Sequence, residues 1–255
     1  MTDSPAHWIV IPCYNEADRL PVDAVRAWLP SHPDFGLLLV NDGSTDGTGQ
    51  LIHDLAAAIG SQCDAFDLSS NQGKAEAVRQ GLLRVLDRSP RTIGYLDADL
   101  ATPLDELPRL LHAMESTQSD MAIGSRVRLL GRDIRRRAIR HYLGRFFAAA
   151  ASITLGLAVY DTQCGAKLIA VRPWTRGLLE GRFVSRWVFD VELIARYLAD
   201  VRMAPRWPRE PCGIIEVPLL KWHDIGGSKV RGRDFVRAVV ELVAIARKYA
   251  GRRTK

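Results

Sequence analysis

Residues 37–48 read Leu37-Leu38-Leu39-Val40-Asn41-Asp42-Gly43-Ser44-Thr45-Asp46-Gly47-Thr48. The apolar run Leu37 to Val40 is short enough for a buried strand. The polar stretch after it stops the run, and an amphipathic segment from Thr48 to Ile59 follows. The same unit recurs outward in both directions. Apolar runs stand at Trp8 to Ile11, more weakly at Ala65 to Leu68, at Thr92 to Leu96 and at Met121 to Ile123. Helical patterns lie between them at about Leu20 to Leu29, Lys74 to Leu86 and Leu104 to Met114. This alternation predicts an α/β fold, a parallel sheet with helices on both faces. Ligands of such sheets bind at the carboxyl ends of the strands, so the residues after each run carry the functional reading.

Beyond Arg126 the pattern changes to a basic loop, an Ala-rich helix from about Ala138 to Leu157 and a strand near Leu168 to Val171. A helix near Val188 to Leu198, a Pro/Trp-rich stretch (Pro205 to Pro211), a strand near Ile214 to Leu219 and a terminal helix from about Asp234 to Tyr249 follow. With no linker or repeat, residues 1–255 read as one domain, about 1–125 and about 126–255 forming its two halves.

Composition excludes several classes. At 47% hydrophobic and 25% charged residues, disorder, collagen-like repeats and coiled coil are poor fits. The four cysteines (Cys13, Cys63, Cys164, Cys212) form no Cys-x-x-Cys pair, which argues against a disulfide framework or a zinc module. The N-terminus lacks the pattern of a signal peptide, giving a cytoplasmic expectation. The longest uncharged run, Phe146 to Tyr160, has 15 residues, short of the ~20 apolar residues that a spanning helix needs. The net charge of +6 is local: Arg126 to Arg145 holds eight Arg and one Asp, or +7, leaving −1 on the rest. A solvated helix face is the alternative to an anion-binding role for that segment.

Polar groups follow three strands: Pro12-Cys13-Tyr14-Asn15-Glu16, then Asn41 to Thr48, then Asp97-Ala98-Asp99. Asp46, just before Gly47-Thr48, reads as a helix cap. Asp97 and Asp99 point the same way on an extended chain, where their repulsion is costly unless a cation intervenes. Oxygen-only ligands suit Mg²⁺ or Mn²⁺ shared with substrate phosphates; two solvated loop carboxylates are the alternative. A phosphate loop is absent. Gly47-Thr48-Gly49 also lacks the third glycine of a dinucleotide turn, where Ile52 stands.

Taken in order, Ile11-Pro12-Cys13-Tyr14-Asn15-Glu16, Val40 to Thr48, Asn71-Gln72-Gly73-Lys74-Ala75-Glu76-Ala77-Val78-Arg79 and Tyr95-Leu96-Asp97-Ala98-Asp99 resemble family 2 glycosyltransferases of the GT-A fold. Ala122 to Arg126, Asp161-Thr162-Gln163-Cys164-Gly165-Ala166-Lys167 and Gly227-Ser228-Lys229-Val230 narrow the resemblance to dolichyl-phosphate or polyprenyl-phosphate glucosyl- and mannosyltransferases, the glucosyl branch in particular. It covers roughly residues 8 to 230.

The resemblance implies a nucleotide-sugar-binding fold with a mixed, mostly parallel sheet. It also implies metal-dependent, inverting transfer of a hexose onto a polyprenyl or dolichyl phosphate at the cytosolic membrane face, with glucose from UDP-glucose as the leading donor. It puts Pro12, Tyr14, Glu16, Asp42, Lys74, Arg79, Asp97 and Ala98 at the donor nucleotide; a surface helix position is the alternative for Arg79. Asp97 and Asp99 would hold a divalent cation, Mg²⁺ or Mn²⁺. Asp99, Arg126, Asp161 and Gln163 would serve catalysis, with buried hydrogen-bond roles the alternative for Asp161 and Gln163. Arg126, Arg140, Arg145, Ser228 and Lys229 would meet the acceptor phosphate.

Two positions depart from relatives: Asn41 replaces a common Asp, and Ala101 stands where some carry Gln, which leans away from mannosyl transfer. The resemblance implies relatives that often carry a membrane anchor at one end; none is expected here, so the Arg-rich segment with Phe146-Phe147 is the expected peripheral membrane contact, with part of Phe146 to Val159 expected to pack as core helix. The terminal helix, with Phe235, Val239, Leu242, Val243 and Ala246 at helical spacing, reads as core packing or a homo-oligomer contact, with a membrane-binding face as the alternative. Mannosyl transfer from GDP-mannose, or transfer to another lipid or soluble acceptor, remain alternatives. A non-enzymatic anionic-surface or nucleic-acid binder is the reading from another class. It lacks a recognition helix or stacking motif, so no nucleic-acid partner is expected.

Overall fold

Strands form where alternate residues serve two cores at once. In β2 (Phe35–Asn41) every residue is buried. Leu37 and Leu39 join Ile9 and Ile11 on one side of the sheet, while Leu38 and Val40 join Trp8 and Val10 on the other. The structure, a computed structural model, describes residues 4–135, 138–203, 213–225 and 232–250, without the side chains of 138–143, 200–203, 232–236 and 250.

The main sheet has seven strands in the order β3-β2-β1-β4-β7-β5-β8. These are β1 (His7–Cys13), β2, β3 (Cys63–Asp67), β4 (Thr92–Leu96), β5 (Met121–Ser125), β7 (Ala166–Ala170) and β8 (Ile214–Pro218). All pair in parallel except β7, which lies antiparallel between β4 and β5. Helices α1 (Val22–Trp28), α2 (Thr48–Ile59) and α4 (Glu106–Ser116) bury their apolar sides on one face. The other face is covered by α3 (Lys74–Leu86), α5 (Ala138–Leu155), α6 (Thr175–Leu179), α7 (Phe189–Met203) and α8 (Gly232–Ala250). The alternation implies the α/β class and the two helical faces; the antiparallel β7 makes the sheet mixed and mostly parallel, as the family resemblance implies, and not the all-parallel sheet that alternation alone suggests.

Two features depart from the sequence expectation. The basic loop contains β6 (Asp133–Arg135), which pairs in parallel with β9 (Lys221–His223) as a ribbon separate from the main sheet. Three-residue strands are too short to show a period. In α8 the core face is Ala238, Leu242, Ile245 and Tyr249; of the stripe grouped by spacing Leu242 is buried and Ala246 half-buried, Val239 and Val243 are exposed, and the Phe235 side chain lies outside the described residues. Helix α5 is partly core, as expected: Phe147, Ala151 and Leu155 are buried while Phe146 and Ile153 remain exposed.

Helix α3 lies unusually close to the sheet. A Cβ on Gly81 would come to 2.5 Å from Val10 Cγ1 and 2.9 Å from Val40 Cγ2. Gly81→Ala gains about 1 kcal/mol of helix propensity against about 1–3 kcal/mol of overpacking between β-branched core neighbours. The clash should win. A net loss of stability is expected, read as a lower urea midpoint at unchanged m-value.

Candidate active site

The carboxyl ends of β1, β2 and β4 meet at one edge of the sheet, and their loops lock together. Asn15, in the left-handed region at φ 50°, accepts the Thr45 N–H through Oδ1 at 2.9 Å, and its own N–H donates to Ser44 Oγ at 3.1 Å. The Glu16 N–H donates to Thr48 Oγ1 at 2.8 Å. The N-cap of α2 is Gly47 and not the expected Asp46, which stands one residue earlier and accepts the Thr48 N–H at 2.9 Å. Asn41, without a charge to offer, bridges Asp67 (2.8 Å) and the Ser44 N–H (3.0 Å). Tyr14 stands at the rim, 36% exposed. Pro12 is half-buried in register with Val40.

Asp42 is the anchor of the next loop. It is 2% exposed and accepts N–H groups from Gln72 (2.7 Å), Gly73 (2.9 Å) and the Asn71 side chain (3.1 Å). Burial pushes its carboxyl up, against the pull of those backbone donors and of Arg186. Gly43, at φ +62°, permits the close approach, since a Cβ there would lie 2.4 Å from the Asn71 backbone nitrogen. On the outer side of this loop Arg186 donates to the Gln72 carbonyl at 3.0 Å and Arg182 to Gln72 Oε1 at 3.2 Å. A cavity of about 390 Å³ opens between these arginines and residues Asn71, Gln72 and Glu76.

At the end of β4, Asp97 forms an ion pair with Lys74 from the first turn of α3. Burial opposes the charge on Asp97, but Lys74, Arg126 and Lys167 outweigh it and hold the carboxyl below the usual range. Asp99 is shifted the other way: burial and the neighbouring Asp97 push it up, although its carboxylate accepts the Ala101 N–H at 3.1 Å and lies 3.8 Å from Arg19. Arg19 also reaches Glu16 at 3.4 Å, joining the β1 loop to the acidic pair. Ala98 between them is buried. Among the described residues no cluster of three or more His, Cys, Asp or Glu side chains could hold a metal by itself. The donor set at Asp97 and Asp99 is all oxygen, and it fits a hard divalent cation that takes its remaining ligands from phosphate oxygens.

Arg126 follows β5 and grips Asp161 through Nε (2.6 Å) and a terminal nitrogen (2.7 Å), while its backbone N–H donates to the same carboxylate at 3.1 Å. Its guanidinium also stacks 5.3 Å from the Trp222 ring centroid. Burial works against this charge, but Asp161 outweighs it and raises the guanidinium further above its already high range. Glu216 accepts the N–H groups of Tyr160 and Asp161, both at 2.8 Å. Arg145 stacks on Tyr160 at 3.9 Å, so contacts run from Arg145 through Tyr160 and Asp161 to Arg126. Gln163 is half-buried on the same loop.

Arg79 is not drawn into this cluster. Its guanidinium forms a bidentate pair with Glu76 and donates to the Leu179 carbonyl at 3.0 Å, tying α3 to α6. Ser228, Lys229 and the Arg140 side chain lie outside the described residues.

Sequence comparison supplies the family. A family model described as glycosyl transferase family 2 matches residues 8–170. The relatives include a dolichyl-phosphate beta-glucosyltransferase of Trichomonas vaginalis, 32% identical over 93% of this chain and 69% of its own length. The Drosophila melanogaster enzyme of that name is 32% identical over 87% of this chain and 68% of its own. The chain belongs to glycosyl transferase family 2. Its fold is similar to that of glucosyl-3-phosphoglycerate synthase from Mycobacterium tuberculosis, solved in complex with UDP, at a TM-score of 0.65 and 17% identity over 97% of this chain and 80% of that one.

In this family 2 glycosyltransferase several residues of the site escaped the sequence reading. Arg19, Arg182, Arg186 and the buried Lys167 and Asp190 each sit in helical, loop or strand contexts that a single sequence cannot tell from ordinary surface or core. Only the loop Asp161 to Lys167, polar around a strand start, carried a signal.

Asp42→Asn leaves one accepting oxygen where three N–H groups converge and turns an NH₂ group toward donors. A loss of about 1–3 kcal/mol is expected for the orphaned groups, read by urea unfolding, with faster proteolysis between residues 69 and 74 as the local sign of a released loop.

Proposed function

We propose that this glycosyltransferase moves glucose from UDP-glucose to a polyprenyl phosphate of the dolichyl type at a membrane surface. The observation that carries the reading is the acidic pair at the end of β4, with Asp97 ion-paired to Lys74 beside the donor loops and the Arg126–Asp161 pair on the neighbouring side. The relatives' names, dolichyl-phosphate beta-glucosyltransferase, support the sugar and the acceptor.

On this reading Pro12, Tyr14, Glu16 and Asp42 form the nucleotide side of the pocket. Lys74 keeps Asp97 ionised and in place. Asp97 and Asp99 hold a divalent cation, Mg²⁺ or Mn²⁺, whose chemistry when bound is Lewis-acid offset of the charge on the departing nucleoside diphosphate. Arg126, oriented by Asp161, retains nitrogens for an acceptor phosphate, with Arg145 two contacts away. A phosphate monoester is already an anionic nucleophile near neutral pH, so positioning matters more than a strong base. Its oxygen forms a bond to the anomeric carbon as the bond to the diphosphate breaks, with inversion.

The membrane part rests on the outward faces of two packed helices. Ile153 on α5 is 80% exposed and Val240 on α8 is 64% exposed, with Val243 a turn further on. Arg145, Arg237, Arg247 and Lys248 lie on the same helices, a charge pattern suited to an anionic lipid surface. Among the described residues no helix is long and apolar enough to cross a membrane.

Incubating the protein with UDP-glucose, a short polyprenyl phosphate and Mn²⁺ or Mg²⁺ should yield the glucosylated lipid and UDP. Asp99→Ala should abolish that product with an unchanged melting curve. GDP-mannose as the better donor, or product formed only on a soluble acceptor, would replace this reading. Ile153→Asp/Val240→Asp should reduce co-sedimentation with anionic vesicles at least tenfold while turnover of a detergent-dispersed short acceptor stays near that of the unmodified protein. Equal vesicle binding would remove the membrane face from the proposal.

A further inference from the structure

A buried charge cluster lies directly behind Asp97. Lys167 is 0% exposed, and its Nζ donates to Asp190 Oδ1 at 2.5 Å and to the Cys164 carbonyl at 2.6 Å. The Tyr95 hydroxyl donates to the same Asp190 oxygen. The three side chains come from β7, α7 and β4, and Phe189, next to Asp190, lies 5.9 Å below the Lys74 ammonium. Ion pairs in such surroundings contribute little net stability compared with apolar residues of similar size. The placement of this one suggests another use.

The antiparallel register sets that use. Tyr95 stands opposite Lys167 and Leu96 opposite Ala166, so the next step brings Gly165 against Asp97. A Cβ on Gly165 would lie 1.9 Å from Asp97 Oδ2, 2.1 Å from Cγ and 2.5 Å from Oδ1, and these are its three nearest neighbours. The Asp97 carboxylate therefore rests on the bare α-carbon of Gly165. Lys167, through the Cys164 carbonyl, holds the backbone that supplies this seat.

We propose that Lys167, Asp190 and Tyr95 are positioning residues that fix the Cys164–Gly165 backbone as the seat of Asp97, and so set the affinity of the acidic pair for its divalent cation. The inference rests on the metal role given to Asp97 and Asp99 above and extends it to a layer of residues that never touches substrate. Partners of this kind typically change metal affinity by about 10–100-fold when removed.

Two variants test it. Lys167→Met/Asp190→Asn removes both buried charges together and keeps an oxygen for the Tyr95 hydroxyl, so no lone ion is stranded. Gly165→Ala adds a methyl group whose nearest obstacle is the Asp97 carboxylate itself. Mn²⁺ binding to the protein with saturating UDP is followed by the electron paramagnetic resonance signal of free Mn²⁺, and UDP binding is measured separately in EDTA. Both variants should bind Mn²⁺ about 10–100-fold more weakly with UDP affinity in EDTA unchanged and a cooperative melt, and Lys167→Arg should recover part of the loss. Native Mn²⁺ affinity in Gly165→Ala, or in a folded double variant, overturns the proposal, as does an equal loss of metal-free UDP binding. Failure of the double variant to fold leaves the decision to Gly165→Ala. If the unmodified protein shows no UDP-dependent Mn²⁺ binding, both this inference and the metal role fall.

Discussion

Two carboxylates at the end of one strand repel each other, and the surroundings of Asp97 and Asp99 answer that constraint. Lys74 arrives from α3, Lys167 from β7, Arg126 from the end of β5 and Arg19 from the loop after β1. Each cation enters on a different element. The acidic pair therefore makes demands on the sheet order, on the entry point of α3 and on the direction of β7. The two carboxylates respond unequally: Asp97 is held ionised by its cations, while Asp99, with fewer, is pushed up by burial and by Asp97 itself.

The loops after β1 and β2 are assembled by another device. They exchange hydrogen bonds through Asn15, Ser44, Thr45 and Thr48, and Asp42 draws the loop before α3 onto them with three N–H groups. Three connections that would be mobile separately are thus one cross-linked rim. The segment before α7 clamps the rim from outside through Arg182 and Arg186, and Glu192 and Glu241 hold that segment in turn, accepting the backbone N–H groups of Val184 at 2.7 Å and Trp187 at 3.2 Å. Helix α8, with its exposed valines, is in this way two contacts from the loop that Asp42 anchors.

Much of this was legible before the fold was known. The strand ends announced themselves because a buried run has no reason to finish in Asp-Ala-Asp or Asn-Asp-Gly-Ser unless the next residues leave the core, and α2 and α3 occupy the spans that their periodicity marks. Arg126 and Asp161 were both singled out, though not as partners of one another. Their 35-residue separation hides a bidentate pair. Arg79 shows another side of this: a cation near a helix start suggests an anionic ligand, and in the structure the anion beside it is Glu76 one turn earlier, with the Leu179 carbonyl as a further partner. The Arg126 to Arg145 segment, read as one cationic strip, is divided by Asp133 and Asp161, which take up Arg135 and Arg126.

By itself, the sequence determined the alternation of strand and helix, the edge of the sheet at which chemistry collects, the acidic pair and the family. These follow from local pattern and from motifs whose residues are neighbours in the chain. The tertiary structure alone decided that β7 runs antiparallel against β4, which puts a glycine under Asp97 and a buried lysine behind it. It also decided which of many arginines are paired inside and which remain outside. Both are matters of register and of opposite charges brought together across long separations, and the free energy that settles them comes from desolvation and pairing in the assembled fold, where no local pattern can express it.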